Sequence, residues 1–223
     1  MTLARRLVGE GLGTALLLVA VVGSGIMAER LSGGNAAIAL LANSLATGGA
    51  LVALIVTFAP VSGAHFNPAV TVALAARGEL QCMPAAAYVA VQFAAAVLGV
   101  VAAHAMFGLP PLEWSQKARP GLGQIGAEFI ATFGLLAIVL SCAASASRAV
   151  PYAVAAYITG AYWFTSSTSF ANPAVTVART FTNTFTGIGQ SDVPGFLLAQ
   201  GAAVIVTVPI FAWIFRERSK GSG

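Results

Sequence analysis

The chain has 223 residues, of which 58% are hydrophobic and 8% are charged, and its formal net charge is +4. This composition leaves too few polar side chains to cover a water-facing globule, so it excludes an ordinary soluble domain and indicates an integral membrane protein. The basic residues stand singly or in pairs between apolar stretches and form no basic helix face, which argues against a nucleic-acid partner. The two cysteines lack a metal-ligand spacing, so no metal site or cofactor is predicted.

Six apolar stretches of roughly membrane-spanning length follow one another along the chain and predict six transmembrane helices. The first one resembles a signal peptide, because Arg5 and Arg6 precede it. Glu10 interrupts that stretch early and five more follow, which favours an uncleaved first helix. The predicted helices are residues 7–28, 36–59, 84–107, 122–144, 151–168 and 194–215.

A heptapeptide, Asn-Pro-Ala-Val-Thr-Val-Ala, occurs twice, beginning at Asn67 and again at Asn172. Asn is a strong N-cap and Pro fits the first helical position, so each copy predicts a helix start. Ten helical residues reach only about 15 Å, roughly half of a bilayer core, so residues 67–76 and 172–181 are predicted to be half-helices. If the two enter from opposite faces, their positive ends meet near the midplane, where they favour oxygen atoms and disfavour cations.

The same order of three spans with one half-helix occurs twice, and an odd number of spans inverts the second copy. Inverted repeats of this kind place the functional site near the midplane, between the two halves. The predicted division is a first repeat at 1–107, an outer linker at 108–121, a second repeat at 122–215 and a cytoplasmic tail at 216–223.

Each repeat carries one glutamate inside an apolar helix, Glu10 in the first and Glu128 in the second. An ionisable group at such a position is a functional candidate, and the two would form an acid and base pair in an enzyme. The favoured interpretation is structural, with each carboxylate accepting backbone N–H groups of the loop before a half-helix. Gln92 and Gln200 fit the same role or simple hydrogen bonding between helices.

His65 precedes the first Asn-Pro by two residues and has Phe170 as its counterpart in the second copy. A proton relay and a packed loop residue are the two interpretations, and the second is favoured because no acidic or metal partner accompanies the histidine in the sequence.

The distribution of Lys and Arg predicts the orientation, since basic residues concentrate on the cytoplasmic side. With the N-terminus inside, the cytoplasmic set outnumbers the outer set, so both termini are predicted to be cytoplasmic. The cytoplasmic set is Arg5, Arg6, Arg77, Arg148, Arg216, Arg218 and Lys220, and the outer set is Arg30, Lys117, Arg119 and Arg179.

On these residues the chain resembles the major intrinsic protein family, the aquaporins and aquaglyceroporins. The resemblance rests on the six spans, the glutamate in each half, the stretch 62–66, and the two Asn-Pro-Ala motifs. It implies an all-α, aquaporin-like bundle with one pore per subunit for small neutral solutes, embedded in lipid, usually as a homotetramer. A bacterial inner (plasma) membrane location is expected. The motif residues are Asn67, Pro68, Ala69, Asn172, Pro173 and Ala174.

The resemblance also implies a narrow filter, and here the chain departs from the family. The family commonly has an arginine directly after the second motif, where this chain has Val175. The other filter positions, counted from the motifs, are Thr47, Gly160 and Ser169. This set has no aromatic ring, imidazole or guanidinium, so a wide and weakly polar filter is expected. It is similar to that of bacterial members associated with trivalent arsenic, and the expected solutes are arsenious acid, glycerol-like polyols and water.

Arg179, one helical turn beyond Val175, leaves two interpretations open. Its guanidinium either reaches the outer vestibule and partly replaces the missing charge, or pairs with loop carbonyls and solvent. For the whole chain, the alternatives to a wide channel are an orthodox water channel and a coupled secondary transporter, because inverted repeats with broken helices also build carriers. A membrane enzyme is the weakest alternative, since no nucleophile and base pair is present.

Overall fold

A computed structural model describes residues 1–145 and 147–215, which form α-helices and short 3-10 turns without a β-strand among them. The predicted tail 216–223, which holds Arg216, Arg218 and Lys220, lies outside the described residues. The helices are α1 Leu3–Leu31, α2 Ala36–Ser62, α3 Pro68–Ala76, α4 Cys82–Met106, α5 Leu122–Ala144, α6 Val150–Phe164, α7 Pro173–Ala178 and α8 Val193–Ile214.

The helices form one bundle in which the order long, long, short, long occurs twice. Helix α1 packs against α2 and α4, and in the second half α5 packs against α6 and α8. The two halves meet through α2 against α6 and through the short helices α3 and α7. The structure therefore has the predicted architecture of six longer helices with two short ones between them.

Five helices are long and apolar enough to span a membrane, namely α1, α2, α4, α5 and α8. Helix α6 has only 15 residues and falls below that length. The sequence predicted a longer helix at 151–168, but the chain leaves the helix after Phe164. Thr168 and Ser169 adopt left-handed backbone conformations, with φ of 62° and 51°, which cannot continue a right-handed helix.

Both short helices begin where the duplicated heptapeptide predicts. Asn67 accepts a hydrogen bond from the N–H of Ala69, and Asn172 accepts from those of Ala174 and Val175. The first short helix matches the predicted 67–76 closely. The second is shorter than the predicted 172–181, because α-helix gives way to a 3-10 turn at Arg179–Phe181.

Close helix approach depends on small residues at the crossings. A Cβ atom added to Gly99 would lie 2.4 Å from the carbonyl oxygen of Ala15, so α4 and α1 touch at backbone distance. A Cβ added to Gly13 would lie 1.9 Å from the ring of Phe66, which is seated against α1. These glycines let the loop before α3 reach the middle of the bundle.

The connection from α4 to α5, predicted as an outer linker, folds over one end of the bundle. It hydrogen-bonds to the chain that follows α7, with the N–H of Ser115 donating to the Thr180 carbonyl at 2.8 Å and that of Gly189 donating to the Lys117 carbonyl at 2.8 Å. These hydrogen bonds position the segment so that Arg119 lies inside the bundle, where only 8% of its surface is exposed.

Candidate functional site

The two short helices meet through their asparagines at the centre of the bundle. The side-chain amide of Asn67 donates to the carbonyl of Ala171 at 2.7 Å, and that of Asn172 donates to the carbonyl of Phe66 at 2.8 Å. Each asparagine oxygen meanwhile caps its own helix. An amide group has two hydrogens, so each asparagine keeps one donor besides the bond that joins the two halves.

The buried Glu10 carboxylate holds the loop that leads into α3. It accepts hydrogen bonds from the N–H groups of His65 at 3.0 Å and Phe66 at 2.7 Å, and from the Ser62 hydroxyl at 2.6 Å. Gln92 donates to the same carboxylate at 2.8 Å. In all four bonds the carboxylate is the acceptor, so it fixes the loop before α3 against α1 and α4.

Glu128 does the same for the loop that leads into α7. It accepts from the N–H groups of Phe170 and Ala171, both at 2.8 Å, and from the Gln200 amide at 2.7 Å. Gln200 also donates to Thr176 at 2.9 Å, as Gln92 does to the equivalent Thr71 in the first half. The two halves thus support their half-helices with the same set of side chains.

Both supported loops contain residues in the left-handed region of φ, which is costly for side chains other than glycine. In the first loop these are Ala64 at 53° and Phe66 at 51°, and in the second Thr168 at 62°, Ser169 at 51° and Ala171 at 47°. The conformation turns successive carbonyls and N–H groups to different sides. The glutamates hold N–H groups of these loops at Phe66, Phe170 and Ala171, which offsets part of the cost.

His65 also lies beside the first half-helix. Its Nδ1 atom is 3.1 Å from the hydroxyl of Thr71, and its ring packs edge-on against Tyr88 with 5.3 Å between centroids. The histidine lines the central cavity. His65 therefore packs against Tyr88 and also borders the central cavity.

A cavity of about 110 Å³ runs past both asparagines, and its wall is mostly apolar. The predicted filter residues Thr47, Ser169 and Val175 all contribute to that wall. The residues that line it are Leu17, Val21, Thr47, Leu51, Ile55, Gly63, Ala64, His65, Phe66, Asn67, Val70, Leu74, Leu135, Val139, Val150, Val154, Ile158, Tyr162, Ser169, Phe170, Ala171, Asn172, Val175 and Arg179.

Gly160 is not brought to this cavity. Helix α6 contributes four residues that are spaced by one helical turn and share a face, namely Val150, Val154, Ile158 and Tyr162. Gly160 stands two positions from Ile158 and Tyr162, on another face, and a Cβ added there would meet the ring of Phe164 at 3.6 Å. Tyr162 is 4% exposed and its hydroxyl lies 3.2 Å from that of Thr47. The wall therefore contains an aromatic ring that the predicted filter lacked.

Arg179 lines the cavity and is 2% exposed. Its central guanidinium carbon is 3.4 Å from the ring centroid of Phe170, and its Nε atom donates to the carbonyl of Thr186. The side chain lines the cavity and also bonds a loop carbonyl, and replacement of the missing charge by Arg179 stays a prediction. The wall thus holds a guanidinium, although Val175 has replaced the usual one.

Arg119 is a second buried guanidinium, which the sequence indicates only as one of the basic residues predicted to face outward. It lies 4.9 Å from the same Phe170 ring and donates to the carbonyls of Gly187 at 2.9 Å and Ser167 at 3.0 Å. Burial lowers the pKa of Arg119 to about 10, while the nearby carboxylate of Glu128 acts in the opposite direction. The group therefore stays charged at neutral pH.

Comparison with known proteins fits this geometry. The family model described as major intrinsic protein matches residues 1–169. The chain is 50% identical over 214 residues to aquaglyceroporin AqpS of Rhizobium meliloti, covering 96% of this chain and 91% of that protein. This chain belongs to the major intrinsic protein family.

Other members of the family match over shorter stretches or by fold. Aquaporin NIP1-3 of Oryza sativa is 38% identical over 92 residues, which is 40% of this chain and 32% of that protein. The X-ray structure of the aquaglyceroporin from Plasmodium falciparum matches with a TM-score of 0.67 over 97% of both chains at 20% identity, which supports the fold alone.

As a member of the major intrinsic protein family, the chain is an integral membrane protein and a channel rather than an enzyme. The predicted family is thus confirmed, as is the all-α aquaporin-like fold. A channel makes and breaks no covalent bond, so the buried glutamates need no catalytic role.

Proposed function

We propose that this chain is a passive channel for small uncharged solutes, namely water, glycerol-like polyols and arsenious acid. The observation that carries the proposal is the cavity that passes both asparagines and has Val175 in its wall. An apolar side chain at that position offers no charge and leaves space that a guanidinium would fill. Solutes larger than water are therefore expected to pass.

In the proposed mechanism, Asn67 and Asn172 are the central polar contacts. The second amide hydrogen of each donates to an oxygen atom of the passing solute. The N-termini of α3 and α7 point at the same place and make it unfavourable for cations and protons. Pro68, Ala69, Pro173 and Ala174 complete the two motifs by starting each half-helix next to its asparagine.

The supporting roles follow from the hydrogen bonds. Glu10 with Gln92, and Glu128 with Gln200, are proposed to fix the two loops whose carbonyls face the cavity. His65 is proposed to act as a polar wall residue on the side of the first loop.

The proposed filter differs from the one predicted from the sequence. It consists of Thr47, Ser169 and Val175, with Tyr162 in place of Gly160. The hydroxyls of Thr47, Tyr162 and Ser169 supply hydrogen bonds, and Val175 faces the carbon side of a polyol. Such an arrangement suits a solute with hydroxyl groups and an apolar skeleton.

The solute class also draws on the relatives. AqpS is named an aquaglyceroporin, which favours glycerol as a solute here. Arsenious acid is an uncharged trihydroxy molecule that resembles part of glycerol, so the same wall suits it. We further propose that the chain lies in a bacterial plasma membrane with both termini cytoplasmic, and that it assembles as a homotetramer.

An orthodox water channel is the second candidate, and two observations favour it. The guanidinium of Arg179 and the ring of Tyr162 both line the cavity, so its outer part is more polar and more crowded than the sequence predicted. If these groups close the space left by Val175, water passes and glycerol does not.

Substitution of Val175 distinguishes the two candidates. In proteoliposomes, Val175→Arg is expected to lower glycerol and arsenious acid flux by about tenfold or more while water flux is retained, because one filter contact is worth roughly 1–3 kcal/mol. Val175→Leu, which adds volume without charge, serves as the control and is expected to give a smaller loss. Wild-type protein that already excludes glycerol would support the water channel instead.

A further inference from the structure

One charged side chain stands out in the cavity wall. Of the described residues that line the cavity, Arg179 is the only Arg, Lys, Asp or Glu. Its Nε atom is occupied by the Thr186 carbonyl. Neither Nη group donates to a protein acceptor within residues 1–145 and 147–215, so the outward edge of the guanidinium is available to a ligand.

A second polar group points to a ligand at the same place. Ser169 is 3% exposed and contributes to the same cavity wall, and its buried hydroxyl has no hydrogen-bond partner in the part of the chain that the structure describes. Ser169 directly precedes Phe170, the ring on which Arg179 lies. Buried hydroxyls are usually hydrogen-bonded, so this one is expected to bond a molecule in the cavity.

The carboxylates nearby are already engaged by other donors. Glu128 accepts a hydrogen bond from the backbone N–H of Phe170. Asp192 accepts one from the backbone N–H of Arg119, and Glu29 accepts one from the backbone N–H of Phe185. Among the described residues, no carboxylate forms an ion pair with Arg179. The face of the guanidinium toward the cavity therefore lacks a counter-ion from the protein.

We propose that Arg179 and Ser169 form an anion-binding site at the outer mouth of the cavity. The ligand is a small monovalent oxyanion, such as a carboxylate or dihydrogen phosphate, because the guanidinium fork presents two parallel donors to two oxygens of one ligand. The serine hydroxyl donates a third hydrogen bond. A bound anion lies in the path of neutral solutes and slows their passage; this consequence rests on the proposed channel function, whereas the binding itself does not.

Arg119 is a positioning residue for this site. Its bonds to the Gly187 and Ser167 carbonyls tie together the two loops on either side of Arg179 and Phe170. It also adds a second positive charge against the same ring. Loss of Arg119 is expected to weaken anion binding without abolishing it.

Inorganic phosphate at pH 6, where the monovalent form dominates, is a suitable probe. Purified protein with ¹⁵N-labelled arginine is titrated with sodium phosphate and, separately, with sodium chloride at equal ionic strength. Arg179 side-chain signals are expected to shift and saturate with phosphate only. In proteoliposomes of phosphatidylcholine, which offer no anionic headgroup, phosphate on the outer side is expected to slow glycerol flux over the same concentration range.

Variants separate the site from general charge effects. Arg179→Gln is expected to abolish both responses, and Ser169→Ala or Arg119→Gln to weaken binding by about tenfold, the value of one charge-assisted hydrogen bond. Arg119→Lys, which keeps the charge, is expected to retain part of the phosphate affinity that Arg119→Gln loses. Arg30→Gln removes an exposed cation that lies over Phe107 and outside the cavity wall, and is expected to leave both responses unchanged.

Three results would overturn the site: no saturable shift of Arg179, an equal response to chloride, or inhibition that persists in Arg179→Gln. If glycerol flux is absent before phosphate is added, the proposed solute class has failed instead, and the arginine signals still decide whether the anion binds.

Discussion

Glu128 is the buried group on which the second half of the site depends most. Its two oxygens accept from the backbone N–H groups of Phe170 and Ala171 and from the amide of Gln200. Hydrogen bonds to a charged acceptor are worth about 1.5–3 kcal/mol each, and leaving buried donors unpaired costs a similar amount.

Glu128→Gln is therefore expected to destabilise the protein by about 2 kcal/mol or more. The substitution replaces one acceptor oxygen of the carboxylate with an NH₂ group, and this group cannot accept the hydrogen bonds that the oxygen accepted. For a chain of this length that corresponds to a fall of about 5 °C in Tm, measured by tryptophan fluorescence in detergent. Glu79→Gln is the control, since Glu79 belongs to a surface ion pair with Arg77. Equal Tm values for the two variants would contradict the support role.

Tyr162 is the residue that most changes the expected filter. Tyr162→Phe removes one hydroxyl from the cavity wall without changing the ring, and one net hydrogen bond is worth about 1 kcal/mol. The ratio of glycerol to water flux is expected to fall about fivefold. Tyr157→Phe on the same helix removes a hydroxyl that bonds the Ile130 carbonyl outside the cavity, and should leave the ratio unchanged. A fall in the ratio of glycerol to water flux in both variants would mean that a general change in α6, and not the loss of the Tyr162 hydroxyl, lowers the ratio.

Some of these residues could be predicted from the sequence and others could not. A duplicated motif and a charged residue within an apolar stretch can be recognised in the sequence itself, and for this reason Asn67, Asn172 and the two glutamates could be predicted. Counting from the motifs assigns Gly160 to the filter, but a count along the chain does not show which face of α6 lines the cavity, and Ile158 and Tyr162 line it there. Arg119 has no local signal, because only loop pairing across the fold brings it inward.

Among the elements, the crossing of α1 and α4 holds the first half together. Gly99 lies where the two backbones touch, and added atoms would meet the Ala15 carbonyl and the Leu18 Cβ atom, at 2.4 and 2.7 Å. Neither neighbour is the end of a flexible side chain, so the helices must move apart to accept a larger residue.

Gly99→Ala is expected to destabilise the protein by about 1–3 kcal/mol through overpacking at this crossing. Gly201→Ala in α8 is the matched control, because a Cβ atom there meets nothing within 4 Å. That substitution is expected to be neutral or slightly stabilising, since alanine favours helix. Thermal unfolding of both variants in detergent checks the pair, and a Gly99→Ala protein as stable as wild type would show that α1 and α4 separate at little cost.

At the scale of the whole molecule, composition and the paired heptapeptides predicted the membrane class, the helix order and the family. These features depend on apolar length and on repeated local signals, both of which a sequence displays directly. The path of the segment 108–121, which the sequence predicts only as an outer linker, depends on long-range hydrogen bonds such as that from the Ser115 N–H to the Thr180 carbonyl.

The orientation in the membrane rests on the distribution of basic residues and can be tested with the native cysteines. Cys82 is exposed at the start of α4 and is expected to face the cytoplasm. In a Cys142→Ser background, a membrane-impermeant maleimide is expected to label Cys82 in inverted vesicles and not in right-side-out ones. Leu112→Cys, in the exposed part of 108–121, is the control and should give the opposite pattern. Labelling of Cys82 from outside would reverse the proposed topology.

The central claim, a passive pore open to solutes larger than water, is tested most directly by stopped-flow light scattering on proteoliposomes that carry the purified wild-type protein. Water and glycerol flux are measured at several temperatures, with arsenious acid uptake followed in parallel. We predict fast flux of all three solutes with a low activation energy. Fast water flux alone would show that Arg179 and Tyr162 close the filter, and a high activation energy for glycerol would contradict a pore and favour a carrier.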